Sequence, residues 1–295
     1  MTQINACIAY ISSRNKCISH SLKSMWDNYN FKHNYPVYVF YFDDIYDDKN
    51  LREHIKGNTD QIIYFQSVPY ALPDIPEEEI YYSRNELWYV RTSFPKSRAG
   101  YLHMCNFNSN LFGYPDTNLE KYDYIMTHDD ESGYEKEMDF DPFEMLDSSG
   151  YMLGAYSVGQ RLKNGYPHQG HLDCRIGLWE FTKNSILDNN ITPKSEQLKK
   201  LLFDSDANNN FHFIDWCDTY VINTDVFKTD LWKRWISSVN DNGGIYKYRW
   251  GDNEIESLFA HMYQDKIFKI PAVDNGFHNQ GKFRYIQDYA PGVKN

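Results

Sequence analysis

At 295 residues the chain is long enough for one large domain or two small ones, and its 41% apolar and 24% charged residues exclude disordered and collagen-like classes. A formal net charge of −11 argues against a general nucleic-acid binder, because neutralising phosphates takes lysine and arginine in excess. A phosphorylated ligand would instead need a metal or a few placed cations.

No stretch approaches the roughly 18–20 apolar residues that span a bilayer, and Met1–Tyr10 lacks the basic-then-apolar profile of a signal peptide. Cys7, Cys17, Cys105, Cys174 and Cys217 are odd in number, scattered and without C-x-x-C spacing. Zinc and a disulfide framework are not expected, and the reading is of a cytoplasmic or otherwise soluble protein. Aromatic residues reach 17% of the chain, so rings either line a binding site or fill a tyrosine-rich core.

In chain order, Asn5–Ile11 reads as a strand ending in a polar turn, and Ile18, Leu22, Met25 and Trp26 have helical spacing. Pro36–Phe42 is a continuous apolar run that stops at Asp43-Asp44, as a buried parallel strand does. Strand, helix, strand with short connections predicts a βαβ unit. Gln61–Ser67 is a further strand, Ser97–Phe112 a helix, and Tyr122–Thr127 a strand running into His128-Asp129-Asp130-Glu131. Tyr151–Val158 and Phe211–Ile222 are expected strands, 240–244 a loop, and Asn253–Met262 a helix capped by Asp252. The fold class is therefore α/β with a single open, mostly parallel sheet flanked by helices. One domain over 1–295 is expected, with an insertion or flap around 187–210.

The most informative segment is Asp129-Asp130-Glu131. Open α/β sheets bind ligands beyond the carboxyl ends of their strands. Three successive carboxylates there suit Mg²⁺ or Mn²⁺, which in turn can neutralise a diphosphate. The bland alternative is a solvated acidic turn. Strand alternation ranks Glu131 above Asp130 as the partner of Asp129.

Five blocks in series give that segment a context. Ser13-Arg14-Asn15, Ser21–Met25 and Tyr35–Phe40 open the chain. Ser97–Ser109 contains Tyr101-Leu102-His103-Met104-Cys105-Asn106-Phe107-Asn108-Ser109. Asp129-Asp130-Glu131 stands at a fixed spacing from Asp141-Pro142-Phe143. Trp216–Phe227 follows, and Tyr248–Asp252 and Asp274–His278 close the series. In order and spacing these blocks resemble glycosyltransferase family 15, the fungal Golgi α-1,2-mannosyltransferases. The family's "Y-R-H-M-C-R-F-x-S", "E-P-D", "Y-D-P-F", "F-W-S-N-F-E-I", "R-W-G-D" and "D-N-x-G-Y-H-H" fall at these places.

The resemblance implies a GT-A type nucleotide-sugar transferase fold, a divalent metal (usually Mn²⁺), GDP-mannose as donor, and an oligosaccharide or glycoprotein as acceptor. It identifies the chain as a divergent member without a membrane anchor. It also implies Glu131, Asp129 and His278 as metal ligands. Arg14, Asp129, Asp130 and Asp252 become donor contacts, and Asp218, Tyr220 and Tyr101 face the reacting carbon. Several positions depart from the pattern: Asn106 replaces an Arg, Asn279 the second His, and Tyr220 the Glu of "S-N-F-E". Retention and inversion both stay open, because a carboxylate beside the anomeric carbon fits one and a more distant base the other. The alternatives are a catalytically silent carbohydrate-binding or scaffold protein and, more weakly, a two-metal phosphohydrolase drawing on Asp43-Asp44.

Overall fold

The apolar runs pair as strands because each is flanked by polar turns and rich in β-branched or aromatic side chains. The computed structural model describes residues 4–12, 18–42, 49–57, 59–68, 75–76, 79–80, 100–111, 117–156, 158–159, 162–163, 166–167, 175–204, 215–216, 219–272 and 277–278. The expected functional residues Arg14 and Asp218, and Asp43-Asp44, lie outside them.

The first half contains β1 (Ala6–Ser12), α1 (Ile18–Asn28), β2 (Val37–Phe42), α2 (Lys49–Gly57), β3 (Ile63–Val68), α3 (Gly100–Ser109) and β4 (Tyr124–Asp129). Next come β5 (Gly133–Tyr134), α4 (Pro142–Ser149), β6 (Leu153–Ala155), β7 (Val158–Gly159), β8 (Leu162–Lys163) and β9 (Tyr166–Pro167). They are followed by α5 (Leu178–Asp188), α6 (Glu196–Leu202), β10 (Asp215–Trp216) and β11 (Tyr220–Asn223). The chain continues through α7 (Asp230–Asn242), α8 (Gly244–Tyr248), α9 (Asp252–Tyr263), β12 (Phe268–Lys269) and β13 (Phe277–His278).

Seven strands form one sheet in the order β12-β6-β11-β4-β1-β2-β3, and the remaining short strands pair two by two. β4, β1, β2 and β3 are parallel to one another, while β11 runs antiparallel between β4 and β6. The expected mostly parallel sheet is what forms.

The two faces of the sheet bury different partners. Ile8, Tyr10, Val37, Val39, Met126 and Val221 pack with α1 and α4 residues such as Leu22, Met25, Phe143 and Leu146. On the other side, Tyr220, Ile222, Leu153 and Ala155 join Leu102 and Cys105 of α3, Trp235 of α7, Trp250, and Ile255 and Phe259 of α9. Trp232 and Trp235 are core residues.

Three boundaries differ from the sequence reading. Tyr151–Val158 is broken into β6 and β7. Residues 240–244 are not a loop: α7 runs to Asn242, and Gly243 closes it in the left-handed region at φ 70°. The last long helix begins at Asp252 with Gly251 as its N-cap and no side-chain cap, so Asp252 is its first helical residue. Within 187–210, α6 is capped by Ser195, whose backbone N–H donates to the His261 carbonyl of α9 at 3.1 Å. No helix among the described residues is long and apolar enough to cross a membrane.

Gly244 is fixed by packing. A Cβ there would lie 2.3 Å from the Trp250 ring, which is held by its own Nε1–H donating to the Ile176 carbonyl at 2.7 Å. Gly244→Ala is expected to destabilise the fold by about 3 kcal/mol, measured by urea unfolding. Two buried imidazoles give an acid limit. Burial pushes His103 and His261 down to about 4, below the unfolded value of about 6.5. The unfolded chain therefore binds the extra protons first. Stability from these groups is complete above about pH 6.5 and declines as pH falls toward 4. His103→Gln together with His261→Gln should flatten that decline in urea midpoints taken from pH 7.5 to 4.5.

Candidate active site

From β1 the chain goes to β2 and β3 on one side, while β4 adds on the other. The connections diverge at the carboxyl ends of β1 and β4, and an open α/β sheet has its ligand crevice at such a point. Ser12 closes β1 and Asp129 closes β4, with Ile11 and Asp129 in register. Asp130 and Glu131 turn away, closed by Ser132 N–H donating to the Asp129 carbonyl at 3.1 Å. Because β4 ends at Asp129, strand alternation does not extend to Glu131, and that part of the sequence argument fails.

Hydrogen bonds sort the three acids instead. The Glu131 N–H donates to Asp129 Oδ1 at 3.3 Å, and Ser12 Oγ donates to Asp130 Oδ2 at 2.8 Å. Asp130 and Glu131 are buried, and Asp129 is partly exposed. Ser21 of α1 donates to the Ser132 carbonyl, tying the turn to that helix.

An aromatic socket lies beside this turn. His128 is buried, burial pushes its imidazole down to about 4, and its Nδ1 is 2.8 Å from the Asp129 carbonyl, so Nδ1–H is the donor. Its ring lies 4.7 Å from Tyr10 and meets Phe277 edge-on at 5.8 Å and 89°. Phe277 also packs 4.8 Å from Tyr156 and 5.4 Å from Tyr134. The socket seats β13 antiparallel to β5, with Phe277 opposite Tyr134 and His278 opposite Gly133. The backbone of residue 278 thus runs beside the segment that follows Glu131. Carboxylate and imidazole are donors suited to Mn²⁺, so Asp129, Glu131 and His278 fit such an ion chemically. Among described side chains alone, no three acidic, thiol or imidazole groups converge.

The neighbouring strand carries the second half of the site. Tyr220 is in register with Thr127 on β4, about 7 Å along the strand from the level of Asp129 and on its face. Tyr220 Oη donates to Glu256 Oε1 at 2.7 Å, with both residues buried. Burial, followed by the adjacent Glu256 carboxylate, holds the Tyr220 phenol well above its ordinary value.

Asp252 does not cap its helix; its carboxylate accepts from Asn108 Nδ2 of α3 at 2.5 Å. Arg249 supports this entry to the helix in the left-handed region at φ 59°, a conformation uncommon for a bulky residue and frequent at functional sites. Arg175 pairs with Glu254 at 3.2 Å, both buried. Asn108, Tyr220 and Glu256 line a narrow cleft together with Leu111, Ile222, Phe227 and Trp232, with about 10 Å³ free, one water's worth.

Of the expected residues, Asp129, Asp130 and Glu131 stand with the β13 strand of His278, while Tyr220 and Asp252 meet the second cluster. Tyr101 lies on α3, and only its backbone is described. Sequence reasoning missed Glu256. The available signal was its spacing of four from Asp252, which puts both carboxylates on one helix face. It also missed the Tyr10–His128–Tyr134–Phe277 socket.

The profile of the glycolipid 2-alpha-mannosyltransferase family matches residues 1–282. The probable mannosyltransferase KTR4 of Saccharomyces cerevisiae is 22% identical over 285 residues, covering 89% of this chain and 57% of its own. The O-glycoside alpha-1,2-mannosyltransferase omh1 of Schizosaccharomyces pombe is 22% identical over 272 residues, covering 90% and 66%. The chain thus spans about three fifths of the length of such relatives. The structure of S. cerevisiae Ktr4p in complex with GDP superposes with a TM-score of 0.74 at 18% identity, covering 94% of this chain and 71% of that one. The Mn/GDP form of core-mannan synthase A from Aspergillus fumigatus gives 0.71 at 17% identity, covering 98% and 82%. These likenesses confirm the GT-A type fold implied by the motif series, and the chain belongs to the glycolipid 2-alpha-mannosyltransferase family, glycosyltransferase family 15.

Proposed function

We propose that this protein is a Mn²⁺-dependent glycosyltransferase that moves mannose from GDP-mannose to a hydroxyl of an oligosaccharide or glycoprotein acceptor. The observation that carries the reading is the acidic turn at the sheet's switch point with the strand of His278 paired beside it. Support comes from family relatives named as mannosyltransferases and from neighbours whose structures hold GDP or Mn/GDP.

Asp129, Glu131 and His278 would hold the cation. When bound, it offsets the diphosphate charge and makes GDP a better leaving group. The chain's own residues do the rest. Asp130, fixed by Ser12, holds the turn so that Asp129 and Glu131 need not reorganise as the ligand arrives. Asp252 and Asn108 offer an acceptor and a donor to sugar hydroxyls, and Arg14 offers a bidentate cation to phosphate or base. Tyr220, Tyr101 and Asp218 are assigned to the side of the reacting carbon.

Donor turnover with and without Mn²⁺ tests this reading. Asp129→Ala, Glu131→Ala and His278→Ala should each lower kcat by about 10²-fold or more and weaken the Mn²⁺-dependent affinity for GDP seen by calorimetry. Unchanged turnover and metal dependence in all three would falsify the site. A silent carbohydrate binder would instead bind glycan with no Mn²⁺-dependent affinity for GDP. The socket gives a second check. Phe277→Ala should cost about 3–5 kcal/mol in urea unfolding and also weaken Mn²⁺-dependent GDP binding. A loss of stability with unchanged metal-dependent binding would separate the socket from the site.

A further inference from the structure

A buried strand needs partners on both edges for its main-chain groups. β5 is two residues long and buried, and among the described residues it has β13 on one edge and no strand on the other. The helix α1 takes that second edge with side chains. Its apolar stripe, Ile18, Leu22 and Met25, joins the core. Ser21, Ser24 and Asn28, spaced three and four apart, share the neighbouring stripe, and each reaches the main chain of residues 132–134. Ser21 Oγ donates to the Ser132 carbonyl. Ser24 Oγ accepts the Tyr134 N–H at 3.2 Å, and Asn28 Nδ2 donates to the Tyr134 carbonyl at 3.0 Å. Both side chains are braced on their own helix: Ser24 Oγ donates to the Ser21 carbonyl at 2.9 Å, and Asn28 Nδ2 to the Ser24 carbonyl at 3.1 Å.

These bonds decide the pairing on the far edge. In an antiparallel ladder the hydrogen-bonded and non-bonded residue pairs alternate. With the Tyr134 N–H and carbonyl both turned to α1, Tyr134–Phe277 is the non-bonded pair, and Gly133–His278 falls to the bonded one. We propose that Ser24 and Asn28 are positioning residues for the cation site: by fixing the Tyr134 main chain they set where β13 docks, and so where His278 stands relative to the acidic turn. The inference rests on the transferase reading above. Phe277 seats the same strand through its ring, but ring contacts tolerate small slides, whereas a hydrogen bond weakens steeply as its angle closes. A ligand set drawn from two distant segments has to be held to within about 0.5 Å. The polar stripe of α1 supplies that restraint from behind, without touching cation or donor.

The test measures Mn²⁺-dependent GDP affinity by calorimetry alongside stability by urea unfolding. Ser24→Ala removes the acceptor of the Tyr134 N–H. Asn28→Leu keeps the bulk of the side chain and removes its donors, and because Asn28 is only half-buried this variant is expected to fold. Each should weaken Mn²⁺-dependent GDP binding by about 10-fold, and Ser24→Thr, which keeps the hydroxyl, should stay within about threefold of wild type. In a His278→Ala background the same substitutions should change that affinity by less than about twofold while their cost in urea persists, since the ligand they place is already gone. Hydrogen exchange of the metal-free protein gives a second readout: the His278 N–H should exchange about 10-fold faster in Ser24→Ala and Asn28→Leu. Variants that lose stability yet keep wild-type Mn²⁺-dependent GDP affinity, affinity losses undiminished in the His278→Ala background, or unchanged exchange at His278 would overturn the positioning role and leave the transferase reading intact. A wild-type protein with no Mn²⁺-dependent affinity for GDP, or a His278→Ala variant with unaltered metal dependence, overturns the assigned site and this inference with it.

Discussion

Like charges 4 Å apart repel by about 4 kcal/mol at an effective dielectric constant near 20, so three carboxylates in succession must be kept apart. The fold around residues 129–131 depends on how that repulsion is contained. Each acid has a different neighbour. Asp129 folds back over the Glu131 amide, and Asp130 is drawn toward β1 by Ser12. Glu131 is left in the turn that Ser21 fastens to α1 through the Ser132 carbonyl. The turn is thereby held in one shape, with negative charge concentrated at the point where the chain's connections diverge. A site that must grip a cation and a diphosphate gains from being set before either arrives.

The same crevice draws on both faces of the sheet, and the alternation of side chains keeps their work separate. On the α1 side, Tyr10 and His128 help build the socket that accepts Phe277 from far along the chain. On the α3 and α9 side, Thr127 and Tyr220 share a register position, and Glu256, Asp252 and Asn108 close around them. The antiparallel strand β11 makes this possible. Running against β4, it starts where β4 is about to end, so its first residue, Tyr220, arrives near the ligand edge. A parallel strand entering at that place would present its last residues there.

Much of this was legible in the amino-acid order. The Pro36–Phe42 run read as a buried parallel strand because it is continuously apolar and stops at acidic residues, and Tyr122–Thr127 read as a strand running into His128-Asp129-Asp130-Glu131. Asp129–Glu131 stood out because carboxylates beyond a parallel strand have a known use. Boundaries were less legible. Asp252 looked like a cap because an aspartate before a helical run usually is one, but Gly251 took that position and the carboxylate reached across to Asn108. The alternation argument for Glu131 assumed two more strand residues than the ladder supports. The reading of 240–244 as a loop gave too much weight to asparagine and glycine, when Gly243 needed only to end α7.

By itself, the sequence determined the α/β class, the acidic strand end and, through the order of its motif blocks, the family. Each is carried by residues close together along the chain or by a series whose spacing is linear. Only the tertiary structure decided that Tyr220 is held by Glu256, that Asp252 pairs with Asn108, and that Phe277 seats the strand of His278 beside the acidic turn. Those partners come from separate elements, and which side chains meet is set by strand register and helix rotation in three dimensions, information that no local pattern of residues contains.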